Sequence, residues 1–145
     1  MANWNVREWM SSTLVTINPK TTLERARTHL QTSHIPELLV MDEGKLVGTL
    51  SERDLWQRCP KGALLLDEHQ TKELLAVMQV GGVMVLYHPT VTPETSVFEA
   101  AQLFLQSGRQ SLPVVEGGVL QGLLTQQHLL AAMAALEEEI FRTKP

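Results

Sequence analysis

The stretch GTLSERDL, residues 48–55, has a counterpart in GLLTQQHL, residues 122–129. The offset is 74 residues (122 − 48 = 74), and the same offset relates Pro19 to Pro93 and Gly44 to Gly118. Val6, Met10, Thr16, Thr21, Ala26, Ser33, Leu38, Val40, Leu46, Leu50 and Leu55 also recur unchanged at that distance, with no gap from Val6 through Trp56. Two unrelated apolar stretches would not keep prolines and glycines in step. The chain is an internal duplication, and its fold is that of one unit built twice.

Each copy reads alike. After the turn at Pro19, Thr21 with Glu24 three residues on predicts a helix N-cap of the capping-box type, and Leu23, Ala26 and Leu30 follow at helical spacing. Thr95, Val97, Ala100, Ala101 and Phe104 repeat this in the second copy. ELLVMDEGKLVGTLS (37–51) predicts two strands about a Glu-Gly turn, and SLPVVEGGVLQGLLT (111–125) two strands about Gly-Gly. A second helix follows each hairpin, ERDLWQR (52–58) and QQHLLAAMAALEEEIFR (126–142). In the latter, Leu129, Met133, Leu136 and Ile140 are expected to bury against the module or a second subunit, the alternative being an element of a partner-binding groove. The copies span 6–58 and 80–140, with a connector at 59–79 in which Pro60-Lys61-Gly62 breaks the helix and TKELLAVMQ (71–79) forms a short one. A unit of roughly 50 residues is marginal alone, so two are expected to share a core.

Composition narrows the function. The 145 residues are 43% hydrophobic with a net charge of −4, which argues against nucleic acid as the main partner, because phosphate neutralisation needs clustered Lys and Arg. No run reaches the roughly 18 apolar residues of a membrane span, so no membrane role is expected. Cys59 is the single cysteine, and MANWNVREWM holds no apolar run suited to a signal peptide, so a reducing, cytoplasmic setting is expected. The five histidines, His29, His34, His69, His88 and His128, lie on no ligand spacing, and no metal is expected. Cys59 has no neighbouring histidine and reads as inert. Trp4 and Trp9 precede the first copy and either face a dimer partner or close over the core.

The stretches VREWM…TINPKTTLERA…LLVMDEGKLVGTLSERDL and VGGVM…TVTPETSVFEA…LPVVEGGVLQGLLTQQHL resemble a tandem pair of cystathionine-β-synthase-type (CBS) domains, a Bateman module, over about residues 6–140. SERDLWQRCPK, with its long connector, is most similar to the stand-alone bacterial proteins of the acetoin-utilisation type. The resemblance implies an α/β fold of two β-α-β-β-α repeats packed about a pseudo-twofold axis. It also implies two clefts between the copies for AMP, ADP, ATP or another adenosyl compound, and dimerisation into a flat disc. The resemblance further implies a regulatory role toward a partner protein, with no catalysis by the chain itself, so no catalytic cofactor is expected.

A nucleotide site needs a carboxylate for the ribose hydroxyls, and helix-start amides with a hydroxyl for phosphate. GTLSERD supplies these types: Gly48 for close backbone approach, Thr49, Ser51 at the helix start, and Asp54 one turn inside. Ser-x-x-Asp is also a plain capping pattern, with Ser51 as N-cap and Asp54 at N3, and on spacing alone capping is the stronger reading. The family position adds phosphate contact for Ser51 and ribose contact for Asp54, and the two roles are compatible. Because the family's cleft crosses copies, this site is expected to draw on Tyr87, His88, Pro89, Arg109, Gln110, Ser111 and Pro113. Arg109 would reach phosphate, while His88 reads more simply as a surface-loop histidine. The second cleft would use Thr125 and His128 with Thr13, Leu14, Val15, Ile35, Pro36 and Glu37. It is the weaker, because an imidazole cannot accept from both ribose hydroxyls and Glu37 would repel phosphate. Losing a charge-assisted bond of roughly 1.5–3 kcal/mol weakens binding about 10- to 150-fold. The first copy also has Leu39 where the family pattern has proline, with Pro36 three residues earlier. The alternative to a ligand sensor is a ligand-free scaffold that dimerises through its repeats. The degraded motif at His128 favours that alternative.

Overall fold

In the computed structural model, which describes residues 4–60, 65–86 and 88–143, the duplication becomes two folded units. The central unit is Val15–His88, and the terminal unit joins the chain up to Leu14 with the chain from Pro89 onward. Lys61 and Gly62, expected to break the helix after the first copy, lie outside the described residues, as does Tyr87.

The central unit runs β1 (Thr16–Ile17), α1 (Leu23–Ser33), β2 (Leu38–Asp42), β3 (Lys45–Leu50), α2 (Glu52–Arg58) and α3 (Glu68–Val77). β1 pairs parallel with β2, which pairs antiparallel with β3. The terminal unit holds α4 (Val97–Ser107), β4 (Ser111–Glu116), β5 (Val119–Thr125) and α5 (Gln126–Thr143). Its hairpin β4–β5 repeats the register of β2–β3: Leu38↔Leu50 becomes Leu112↔Leu124, and the irregularity after Val40 recurs after Val114. Val91 bridges Val114 in parallel, as Ile17 does Val40. Both hairpins turn through two consecutive left-handed residues, Glu43 (φ 50°) and Gly44 (φ 77°), then Gly117 (φ 58°) and Gly118 (φ 80°). That geometry matches the twist of the flanking strands and explains why glycine recurs there.

Each unit has its own core. Leu23, Leu38, Leu50, Leu55, Leu75 and Val80 are fully buried in the central one. Val6, Val91, Ala100, Phe104, Leu112 and Leu124 fill the terminal one. The segment leading into each sequence copy therefore folds with the other copy's hairpin. Ser11 bridges Leu123 in the terminal unit, and Val85 bridges Thr49 in the central unit.

Two local expectations are corrected. The cap of α1 is Thr22, whose hydroxyl accepts from the Arg25 amide, not Thr21; Ser96, not Thr95, caps α4. Thr21 and Thr95 instead accept from the amides of Asn18 and Thr92, closing the preceding turn. α3 begins earlier than expected, because Asp67 and Gln70 form a reciprocal capping box. On α5, Leu129 packs on the terminal core and Ala132 is buried, while Met133 and Ile140 are 65% and 46% exposed in the single chain. Trp4 stacks on Trp9 with ring centroids 5.8 Å apart, and Trp9 packs on the terminal core. Among the described residues no helix is long and apolar enough to cross a membrane.

Candidate functional site

The start of α2 is fixed by reciprocal bonds. The Asp54 amide donates to the Ser51 hydroxyl at 3.0 Å, and the Ser51 amide donates to the Asp54 carboxylate at 3.1 Å. This is the complete capping box that the spacing predicts, and it holds the carboxylate at 8% residue exposure. The start of α5 repeats it with different chemistry. The Thr125 amide donates to Nδ1 of His128 at 2.9 Å, and the His128 amide donates to the Thr125 hydroxyl at 3.4 Å. His128 thus replaces the carboxylate with a single nitrogen acceptor. Burial lowers its pKa below the ordinary 6.5, favouring the neutral ring that this bond requires.

Gly48 and Gly122 each lie under a close backbone approach within their own unit. A Cβ on Gly48 would lie 2.9 Å from the Val85 carbonyl oxygen, and one on Gly122 2.7 Å from that of Ser11. What approaches these glycines is the chain's own leading segment. Thr49 is fully buried beneath the same crossing, its amide donating to Val85 at 3.1 Å and its carbonyl accepting at 2.8 Å.

His88 is not a surface-loop histidine. Its Nε2 lies 2.9 Å from the Glu37 carboxylate, and both side chains are 3% exposed. Glu37 directly precedes β2 and Ser51 directly follows β3, whose ends Leu38 and Leu50 are paired. The central unit therefore gathers Glu37, Ser51, Asp54 and His88, residues assigned in the sequence to different clefts. Val15 and Ile35 pack on its core, and Pro36 is half-buried. Sequence reasoning missed the Glu37–His88 pair because the positions equivalent by the repeat are Ser111 and Leu14, which cannot form one.

The terminal unit gathers a second set. Ser111 pairs with Thr125 across the hairpin, and Gln126 donates to the carbonyls of Gln110 and Arg109 at 3.4 and 3.3 Å. Arg109–Ser111 thus stands beside Thr125 and His128. The Ser111 hydroxyl is fully buried and, among the described residues, has no hydrogen-bond partner. Pro113 is buried within β4, Leu14 and Pro89 are half-buried, and Thr13 is exposed in a turn closed by Ser11. Cys59 follows α2 half-buried, and burial pushes its thiol pKa up, away from nucleophilic character.

Duplicated β-α-β-β-α units, each opening its second helix with a hydroxyl–acceptor box, define a class of paired α/β modules. The family model of the CBS domain matches residues 6–55 and 80–135, and the chain belongs to the CBS-domain family. It is 31% identical over 137 residues to a CBS domain-containing protein of Dictyostelium discoideum, covering 93% of this chain and 94% of that one. An uncharacterized protein of Methanocaldococcus jannaschii is 27% identical, and there the chain spans 34% of the relative's length. Among solved structures it is similar to CBSX2 from Arabidopsis thaliana (26% identity, TM-score 0.79, 94% and 99% of the two chains). It is similar also to CBSX2 in complex with AMP (28%, TM-score 0.74, 93% and 99%). AcuB from Vibrio cholerae shares the fold at 23% identity (TM-score 0.77, 97% and 98%).

Proposed function

We propose that this chain is a regulatory module that binds an adenosine-containing ligand, such as AMP, ADP or ATP, and signals to a partner protein as a homodimer. The observation that carries the reading is Asp54: a nearly buried carboxylate, fixed by the backbone beside a helix-start hydroxyl. The Ser51–Asp54 pair has the acceptor and donor chemistry for ribose and phosphate, and CBSX2 has been solved with AMP. The stronger site is centred on Ser51 and Asp54. The remaining residues expected there enter as family-implied contacts, and His88 would have to leave Glu37 to take part. The site at His128 is weaker, because one neutral nitrogen replaces two anionic oxygens. Ligand output follows from differential affinity for two conformations of the module.

A thermal-shift series with AMP, ADP, ATP, S-adenosylmethionine and NAD tests this on the wild type and Asp54→Asn. Asparagine keeps one oxygen acceptor for the Ser51 amide, removes the charge and replaces the second carboxylate oxygen with an NH2 donor. A ligand at 100 times its Kd adds about 2.7 kcal/mol. The expected result is a shift with at least one of them that Asp54→Asn abolishes while the unliganded melting point holds. No shift with any would favour the ligand-free scaffold; a shift that survives the substitution would move the site.

A further inference from the structure

The start of α5 departs from the start of α2 at each acidic position. Where the first copy has Glu37, Glu52 and Asp54, the second has Ser111, Gln126 and His128, each 74 residues on, and Arg109 stands where the first has Ile35. One exchange runs the other way, Arg53 to Gln127. The stretches 109–111 and 125–128 therefore hold one arginine and no carboxylate. The terminal unit brings them together, with Ser111 paired to Thr125 and the Gln126 side chain donating to the Arg109 carbonyl at 3.3 Å.

What remains at that end is a set of donors. With Nδ1 accepting from the Thr125 amide at 2.9 Å, the proton of the neutral His128 ring sits on Nε2, a donor with no acceptor among the described residues. Ser111 is fully buried, and its hydroxyl has no hydrogen-bond partner among the described residues. Side chains directly opposite on a hairpin stand on one face, about 5 Å apart at Cβ. The Thr125 hydroxyl accepts from the His128 amide at 3.4 Å, so this face looks onto the first turn of α5, and Ser111 is aimed there with it. That helix runs 18 residues, and its N-terminus adds a partial positive charge. A carboxylate suits ribose because it accepts from both hydroxyls. The His128 ring cannot do so, since its one acceptor nitrogen is spent on the Thr125 amide.

We propose that the start of α5 binds a tetrahedral oxyanion of the phosphate class, with the His128 Nε2–H, the Ser111 and Thr125 hydroxyls and the helix N-terminus as donors and Arg109 beside them. His128 sets the specificity: the position that meets ribose in the proposed site at Asp54 meets an anion here. This assignment rests on the proposed ligand-binding role of the chain and gives its second site a chemistry opposite to the first. Free phosphate and the phosphoryl group of a nucleotide share that chemistry.

The test is an amide and imidazole NMR titration of the full chain with inorganic phosphate, adenosine and AMP, at constant pH and ionic strength, with chloride as the control. Saturable shifts at Thr125, Gln127 and His128 are expected with phosphate and not with adenosine. His128→Asp, which restores the box seen at Asp54 and so keeps the fold, should weaken phosphate about tenfold or more, and Ser111→Ala should weaken it by a similar factor. Shifts at α5 from AMP that phosphate competes away would make the nucleotide's phosphoryl group a source; phosphate shifts without them would leave the free anion. Shifts at Ser51 and Asp54 with adenosine report the proposed function separately, so either reading can fail alone. An unsaturated drift matched by chloride, saturable shifts at His128 from adenosine, or unchanged phosphate affinity in both variants would overturn the anion site.

Discussion

His128 holds in the terminal unit the place Asp54 holds in the central unit, and the substitution turns a capping bond into a titratable one. Nδ1 accepts from the Thr125 amide only when the ring is neutral. Burial lowers the folded-state pKa of His128 from 6.5, so below that value the unfolded chain takes up the proton more readily than the folded one. The stabilisation is fully present above pH 6.5 and is lost as pH falls through the lowered value. A lost cap costs about 1 kcal/mol, or roughly 2–4 °C in a chain of this size. Melting curves from pH 7.5 to 5.5 should therefore fall more steeply for the wild type than for His128→Asn, whose amide oxygen accepts without titrating. Parallel curves would refute the assignment. The box at Ser51 was legible from spacing alone, because both partners sit within one helical turn. Glu37–His88 was not legible, because its partners are 51 residues apart and only the folded crossing of the leading segment brings them together.

At the scale of elements, the hairpins were fully legible, since left-handed turn residues and alternating apolar strands leave few alternatives. Helix starts were less so. Adjacent hydroxyls at 21–22 and 95–96 offer two caps each, and the preceding turn claims the first. The box at Asp67 and Gln70 was readable as D-x-x-Q and marks the true start of α3. Gly48 and Gly122 were legible as special from their recurrence at the repeat offset. Their reason is the backbone lying over the hairpin, so alanine there should strain a carbonyl that cannot yield without breaking the bridge between Thr49 and Val85 or between Ser11 and Leu123. Gly48→Ala and Gly122→Ala are each expected to cost about 1–3 kcal/mol in urea unfolding. Gly82→Ala, with nothing within 4 Å of its Cβ, should change the midpoint far less. Similar midpoints for all three would show that the crossing does not control these positions.

At the scale of the whole molecule, the sequence repeat and the folded unit are offset, and stability should follow the unit. A fragment covering 6–58 holds α1, β2, β3 and α2 but lacks Leu75, Val80 and Val83, which are 0–1% exposed in the central core. It also lacks Val85, which bridges Thr49. A fragment covering 15–88 keeps all of these, omitting instead a leading segment whose Val6 is buried in the other core. Chains of this length bury only about 60% of their unfolded surface, so the loss of three fully buried side chains, each contributing about 1.5–3 kcal/mol, exceeds the margin such a fragment holds. Fragment 15–88 is therefore expected to melt cooperatively by circular dichroism and to show dispersed amide resonances, and fragment 6–58 to show neither. The reverse result would mean that the repeat folds as it is written in the sequence, and that the crossing segments are added to hairpins already stable without them.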